Sequence, residues 1–214
     1  MQDNVNVRGQ YASCTLRLAG HDFMDFRRND DHTGGSDACV NFNDPDNAGL
    51  IECMQTFNLK KVYQNWCTVI SLADYVVLAG EAVMGRTEPG YNATNHFASG
   101  TMLRSFLCRY HYGRTTASTC DWNVGRMPHP TEGCDGLETI FVDNIFWNVT
   151  EPWRSVAAIS GAHTLGRAHA EFSGFDGHWS GAGEQGIFNN NYYRSILTKG
   201  WAPEFDMGGV SGRN

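Results

Sequence analysis

The chain has 214 residues, 41% of them hydrophobic, 18% charged and 12% aromatic, a mixture that can bury a core and a pocket and excludes disorder, collagen and coiled coil. A net charge of −7 and a pI near 5.5 argue against a nucleic-acid partner, which needs a cationic face. No stretch of 18 uninterrupted apolar residues is present to span a membrane; the best candidate, residues 75–84, contains Glu81.

Helical spacing dominates the pattern. Residues 11–26 place Leu16, Ala19 and Phe23 at steps of three and four. Residues 47–63 predict a second helix, with Leu50, Cys53, Met54 and Phe57 on one stripe. Residues 67–84, nearly all apolar around Asp74 and Glu81, predict a buried central helix. Leu137, Ile140, Phe141 and Ile145 line another, for which Asp135 is a candidate cap with Glu138 three residues on. Thr150-Glu151-Pro152 is a good helix start, and the helix it opens runs through Val156, Ile159 and Ala162 towards Ala170. Gly- and Asn-rich loops fill residues 85–96 and 115–136. No convincing alternating strand and no repeat is visible, so the expected class is all-α with long loops.

Seven cysteines include no C-x-x-C pair, which removes zinc-ribbon and thioredoxin spacing. Two sequons, Asn92-Ala-Thr94 and Asn148-Val-Thr150, join the cysteines and a scarcity of lysine (3 Lys against 13 Arg) in favouring a secreted, glycosylated, disulfide-bonded chain. The alternative is an organellar or cytosolic chain with buried thiols. An odd count leaves at least one thiol unpaired or joined to another chain. Cys120 and Cys134 bracket a polar, Gly-containing loop and are the first candidates for a bridge. No apolar signal core follows Met1-Gln2-Asp3, and residues 207–214 close no recognisable element, so both ends read as truncated.

Two constellations carry chemistry. Arg17 and His21 sit four apart on one helical face, where a fixed cation beside an imidazole holds it neutral and ready to accept a proton. The guanidinium stays charged and can stabilise an oxyanion. Such a pair suits splitting a small peroxide, although an Arg and a His at this spacing are more commonly a solvated pair. Further on, Ser160-Gly-Ala-His163-Thr-Leu-Gly-Arg-Ala-His169 surrounds His163 with small residues, which let a flat partner approach and an imidazole ligate a metal in its plane. Taken alone, a buried hydrogen-bonded histidine is the commoner arrangement. No H-E-x-x-H occurs, and His163 and His169 are six apart, which disfavours a zinc hydrolase.

Read together, these segments resemble the plant-type haem peroxidase superfamily, closest to the branch containing cytochrome c peroxidase and ascorbate peroxidase. Four stretches carry the resemblance over roughly residues 14–200. They are Arg17-Leu-Ala-Gly-His21-Asp, Asn43-Asp-Pro-Asp-Asn47-Ala-Gly-Leu50, and Ser71-Leu-Ala-Asp74 with Gly113-Arg114. The fourth is the segment around His163, continued by His169, Ser173-Gly174-Phe175 and Gly177-His-Trp179. The resemblance implies one peroxidase-like domain over residues 1–214, its distal part about 1–110 and its proximal part about 111–214. Haem b would lie between distal and proximal helical layers, with His163 as axial ligand to the iron. His21 would move a proton between the oxygens of hydrogen peroxide, Asn47 would fix its tautomer, and Arg17 would stabilise developing charge. Asp74 and Arg114 would form a buried ion pair between two helices. His169, Trp179 and the Met127-Pro128 loop would border the cofactor, and a small-molecule reductant would return the electrons. Nothing in the loops names that reductant.

Several departures bear on activity. Gly20 stands where the family usually carries Phe or Trp before the distal histidine, opening space where geometry matters. The aspartate that accepts the proximal histidine's other N–H is expected some sixty residues after His163, beyond Asn214. Asp22 and Asp37 match carboxylates of a distal Ca2+ site found in secreted relatives, but Cys39 replaces a hydroxyl ligand. On the proximal side Thr164, Ser180 and Asn189 match a Ca2+ or K+ site, with Asn189 lacking the usual charge. These departures support a second expectation: a peroxidase-fold structural component of an extracellular assembly, with little or no turnover.

Overall fold

The computed structural model describes residues 2–31, 33–89, 106, 108–120, 125–129, 133–173, 176–181, 183–199, 202–206 and 209–213. The described residues are mostly helical, with two short two-stranded antiparallel sheets. Its elements are α1 (Gln2–Met24), a 3₁₀ turn (Pro45–Asn47), α2 (Leu50–Thr56), α3 (Leu59–Tyr63), α4 (Leu72–Thr87) and α5 (Cys134–Leu137). A π-helical turn (Glu138–Ile145), α6 (Pro152–Ser160), a 3₁₀ turn (Gly161–Thr164), β1 (Arg167–Ala168), α7 (Ala170–Ser173), β2 (Gly177–His178), α8 (Asn191–Thr198), β3 (Ala202–Asp206) and β4 (Gly209–Arg213) follow. None of the described helices is long and apolar enough to cross a membrane. Two compact units are built from interleaved segments. One comprises Met1–Leu16, Glu81–Tyr110 and Gly161–Asn214; the other comprises Arg17–Gly80 and His111–Ser160.

In the second unit Ile140, Phe141 and Val156 are buried together, with Phe23, Met24, Leu137, Ile145 and Ile159 packed on them. The anticipated helix over 47–63 is broken into three pieces. Asp44 caps the 3₁₀ turn, its Oδ1 accepting from the Asp46 N–H at 3.0 Å, and Pro45 fits the first position, whose N–H needs no partner. Gly49 (φ +82) and Asn58 (φ +50) then adopt left-handed backbone before α2 and α3, which a continuous helix cannot absorb. α4 begins later than expected: the Ser71 hydroxyl accepts from the Asp74 N–H at 3.0 Å and fixes the start at Leu72, while Trp66 and Val69 upstream are exposed.

Asp135 does not cap the next helix. Gly133 precedes it without a side-chain cap, and the helix widens into π geometry, closed by Phe146 N–H donating to Phe141 O at 2.6 Å. The helix starting at Pro152 ends at Ser160 rather than near Ala170. The Cys120–Cys134 bridge is also corrected. Cys39 and Cys120 are joined, their Cα atoms 5.6 Å apart, and the Ala117 N–H donates to Asp37 O at 3.0 Å, aligning the two segments. Cys14 and Cys53 are likewise oxidised, and Cys67, Cys108 and Cys134 are free.

In the first unit Ala12, Val83 and Leu165 form the core, with Tyr11, Leu16 and Phe188 against it. Gly166 (φ +90) turns the chain out of the 3₁₀ turn, and a Cβ there would stand 2.8 Å from Ser13 Cβ, so only glycine permits this approach. That reversal ends the helical path, and Arg167 and Ala168 instead pair with His178 and Gly177. The segment after Trp201 closes as a hairpin, Ala202 opposite Arg213 through Asp206 opposite Gly209, where the sequence suggests no element.

Candidate functional site

Arg17 and His21 on α1 are brought into one hydrogen-bonded set with Asn47, 26 residues beyond His21. The last turns of α1 carry Arg17 and His21, and the Arg17 Nε–H points at His21 Nε2 at 3.4 Å. Arg17 Nη1 donates to Ala48 O at 2.8 Å and Nη2 to Asp46 O at 3.2 Å. The guanidinium thus clamps the turn carrying Asn47. Burial lowers the Arg17 pKa and Glu52 opposes that, so the group stays a cation.

The Asn47 amide settles the His21 tautomer. Its Nδ2 donates to the Asn41 carbonyl at 2.8 Å, an acceptor that cannot donate, so its Oδ1 must face His21. His21 Nδ1, 2.8 Å from that oxygen, is therefore the N–H, and Nε2 is left as the base. Asp44, which sequence reading missed, supports the arrangement. It is buried, caps the turn through Oδ1 and accepts from the Gly125 N–H through Oδ2 at 2.9 Å. Its position before Pro-Asp is the capping signal that would have revealed it. At Gly20 an added Cβ would meet nothing within 4 Å among the described residues.

Beside this set stand Asp22, Asp25 and Asp37. Asp22 is fully buried, with Oδ2 accepting from the Ala38 N–H at 3.1 Å and Oδ1 without a hydrogen-bond partner. Burial raises its pKa to about 7, with Asp37 and Asp25 adding to the rise and the Ala38 and Cys39 amides opposing it. Burial likewise raises Asp25 to about 7, against the Gly35 N–H that donates to its Oδ1 at 2.6 Å, and it raises Asp37. Asp25 is a third carboxylate missed in the sequence, although the D-x-x-D spacing from Asp22 was visible. Cys39 is committed to its disulfide and offers no ligand.

Asp74 and Arg114 pair as expected, Nη1 to Oδ1 at 2.9 Å, and the Gly113 N–H adds a bond to Oδ2 at 2.8 Å. Arg114 lies on a loop, so the pair joins helix to loop rather than two helices. Pro128 is half-buried and follows buried Arg126 and Met127. Arg126 bonds Asp25 O and pairs with Asp30 at 2.8 Å.

In the other unit, His163 sits in the 3₁₀ turn and is exposed, while Thr164 and Leu165 after it are buried. Its ring lies 5.2 Å from Trp179 and 5.3 Å from Tyr192, both tilted. Trp179 was anticipated and Tyr192 was not. A Cβ at Gly161 would come within 3.2 Å of Tyr193 Oη, so glycine lets α8 close on this turn. Thr164 belongs to a separate cluster from Asp22 and Asp37, with Ser180 and Asn189. Thr164 Oγ1 donates to Asn189 Oδ1 at 3.0 Å, and Ser180 Oγ to Thr164 O at 3.0 Å. His169 is exposed, edge-on to Phe172 at 6.3 Å. Among the described residues no group of three His, Cys, Asp or Glu side chains forms a ready metal cage. The first sequon, and Gly174 and Phe175 of the proximal motif, lie outside the described residues.

Residues 1–208 match the peroxidase family. Peroxisomal L-ascorbate peroxidase 5 of Arabidopsis thaliana is 31% identical over 196 residues, 90% of this chain and 60% of that protein. Mitochondrial cytochrome c peroxidase of Candida glabrata is 29% identical over 91% of this chain and 48% of that protein. A Pyricularia oryzae protein assigned as a heme-binding peroxidase is 28% identical over 90% of this chain and 58% of its own length. The chain therefore spans about half the length of the curated relatives it matches.

Proposed function

Because this chain belongs to the peroxidase family, we propose that it serves a haem-dependent peroxidase that reduces hydrogen peroxide at the expense of a small-molecule donor. The observation that carries the reading is the Arg17–His21–Asn47 set, in which Asn47 Oδ1 accepts from the His21 Nδ1–H and leaves Nε2 as the proton acceptor. The residues present also fit the cofactor: His163 is exposed in a turn of small residues, with its imidazole braced by Trp179 and Tyr192. When bound, haem supplies the iron and the two electrons that cleave the O–O bond.

The protein's own groups do the rest. His21 Nε2 takes a proton from one peroxide oxygen and delivers it to the other, which leaves as water. Arg17 offers its cation to the oxygen gaining charge; Nη1 and Nη2 stay anchored on Ala48 O and Asp46 O, while its Nε–H gives up the 3.4 Å contact with His21 Nε2 when that nitrogen takes the proton. His163 would hold the iron, and His169 and Pro128 would border the cofactor. Asp22 and Asp37 would supply two of the oxygens of a calcium site: the buried Asp22 Oδ1 has no hydrogen-bond partner and is the kind of atom a hard divalent cation takes.

Reconstitution of the purified full-length protein with haem tests the assignment. A Soret band that shifts on adding peroxide is expected, lost in His163→Ala and kept but unresponsive in His21→Leu. Full turnover in His163→Ala would refute it.

One observation favours the second reading, a structural component with little turnover: the space beside Gly20. On that reading Gly20→Phe leaves activity low, whereas on the first it raises it. The relatives named peroxisomal and mitochondrial give no support to secretion and accord with the organellar or cytosolic alternative. Asn148 of the second sequon is exposed, and an unchanged gel mobility after N-glycosidase would exclude its modification in the native host.

A further inference from the structure

The residues matching the proximal cation site do not fit a metal ion, and the reason is visible in their hydrogen bonds. Thr164 and Ser180 are fully buried. The Thr164 hydroxyl donates to Asn189 Oδ1 at 3.0 Å, and that oxygen also accepts from the Asn191 N–H at 2.9 Å. The Ser180 hydroxyl donates to Thr164 O at 3.0 Å. Asn189 Oδ1 thus already accepts two hydrogen bonds and Thr164 O one, and the side chain at position 189 is a neutral amide that brings no charge to a cation. The nearby carboxylate, Glu184, accepts from Asn191 Nδ2. Into this set comes Lys199, just after α8, whose Nζ donates to Ser180 O at 2.9 Å.

We propose that Lys199 supplies the positive charge of this cluster, so that the turn after His163 is held by a built-in ammonium rather than by a bound cation. The buried Ser180 carbonyl takes a charge-assisted hydrogen bond from the Lys199 ammonium, and a charge tethered to the chain arrives without the translational freedom that a free ion must give up. Exchanging the carboxylate expected from the resemblance for Asn189 is then coherent, since the tethered charge needs no partner of full negative charge. Lys199 acts as a positioning residue: it fixes Ser180, which fixes Thr164, the neighbour of His163. The inference is independent of whether the protein turns over peroxide, because it is read on the apoprotein.

The test compares melting temperatures of the full chain in 100 mM KCl and 100 mM choline chloride. The wild type is expected to melt within about 1 °C in both salts, and Lys199→Met to melt roughly 5 °C lower because a charged hydrogen bond to a buried carbonyl is lost. Lys199→Arg should recover most of that loss, which separates charge from packing. The double variant Asn189→Asp with Lys199→Met restores a carboxylate and vacates the ammonium, so it should gain a potassium-specific rise in melting temperature that the wild type lacks. A potassium-specific stabilisation of the wild type would overturn the proposal, even if no variant folds. So would a Lys199→Met protein that melts with the wild type, or a double variant blind to potassium.

Discussion

Replacing Asp22 with asparagine isolates the energetics of the buried carboxylate cluster. Burial, reinforced by Asp37 and Asp25, raises the Asp22 pKa from 3.8 to about 7. An acid whose pKa is raised on folding destabilises the native state once ionised. The native protein binds more protons than the unfolded chain between about pH 4 and pH 7, so stability falls as pH rises through that window. The displacement is about three pH units at about 1.4 kcal/mol each, or about 4 kcal/mol as an upper limit for the ionised form. In Asp22→Asn the amide oxygen can keep the bond from the Ala38 N–H, but its NH2 replaces an oxygen that has no partner. That costs ~1–3 kcal/mol at every pH and moves the curve without changing its slope. The informative quantity is thus the pH dependence of the difference between variant and wild type. With a chelator present, Asp22→Asn should gain up to about 4 kcal/mol on the wild type between pH 4.5 and pH 8, or about 8–16 °C in melting temperature for a chain of this size. Parallel curves for the two proteins would refute the reasoning. Calcium should close the gap at pH 8 by stabilising the wild type alone.

Three further outcomes follow from the geometry. Asn47→Ala frees the His21 Nδ1–H from its acceptor and should slow the reaction with peroxide roughly 10–100-fold, part of the ~10²–10⁴ that general acid–base catalysis supplies. Asn47→Asp should retain more activity and move the acidic limb of the pH–rate profile upward, as stopped-flow would show. Asp74→Ala removes the carboxylate that pairs with Arg114 and accepts from the Gly113 N–H, leaving Arg114 its bond to His111 O. Since Arg114 is 34% exposed, the loss should be about 2–3 kcal/mol by denaturant titration, below the 3–5 of a fully buried pair. Paired Ser replacements at Cys39 and Cys120 open a loop closed across a separation of 81 residues and should cost about 4 kcal/mol on the chain-entropy account, with a larger loss on reduction of the wild type, which also opens the disulfide bonding of Cys14 and Cys53.

The helical class and the residues of both constellations were legible because they rest on local spacing and on side chains whose chemistry is distinctive. Arg17 and His21 share a face of one helix, and Asn47 and Asp74 lie in short, dense motifs. What the sequence concealed depends on main-chain conformation. Asn58 in left-handed backbone divides an apolar stripe that still reads as one helix, and the reversal at Gly166 turns a helical pattern into a hairpin. The bridge from Cys120 was misassigned because loop composition says nothing about which distant segment lies alongside. That choice is made by a backbone bond such as Ala117 to Asp37. Tyr192 and Lys199 escaped notice because a lone aromatic or lysine has no motif, and only the close approach of α8 at Gly161 gives them a role.

The amide of Asn47 is oriented by a main-chain carbonyl, that of Asn41, not by any side chain. The location of a proton on His21 is therefore written in the path of a loop rather than in its lettering. The Asn41 side chain matters through that path, since its Oδ1 accepts from the Asn43 N–H at 3.0 Å and helps to turn the loop. A single inserted or deleted residue between 41 and 47 would turn the carbonyl away, let the amide flip, and leave every recognisable motif intact in a protein whose base had moved to the wrong nitrogen.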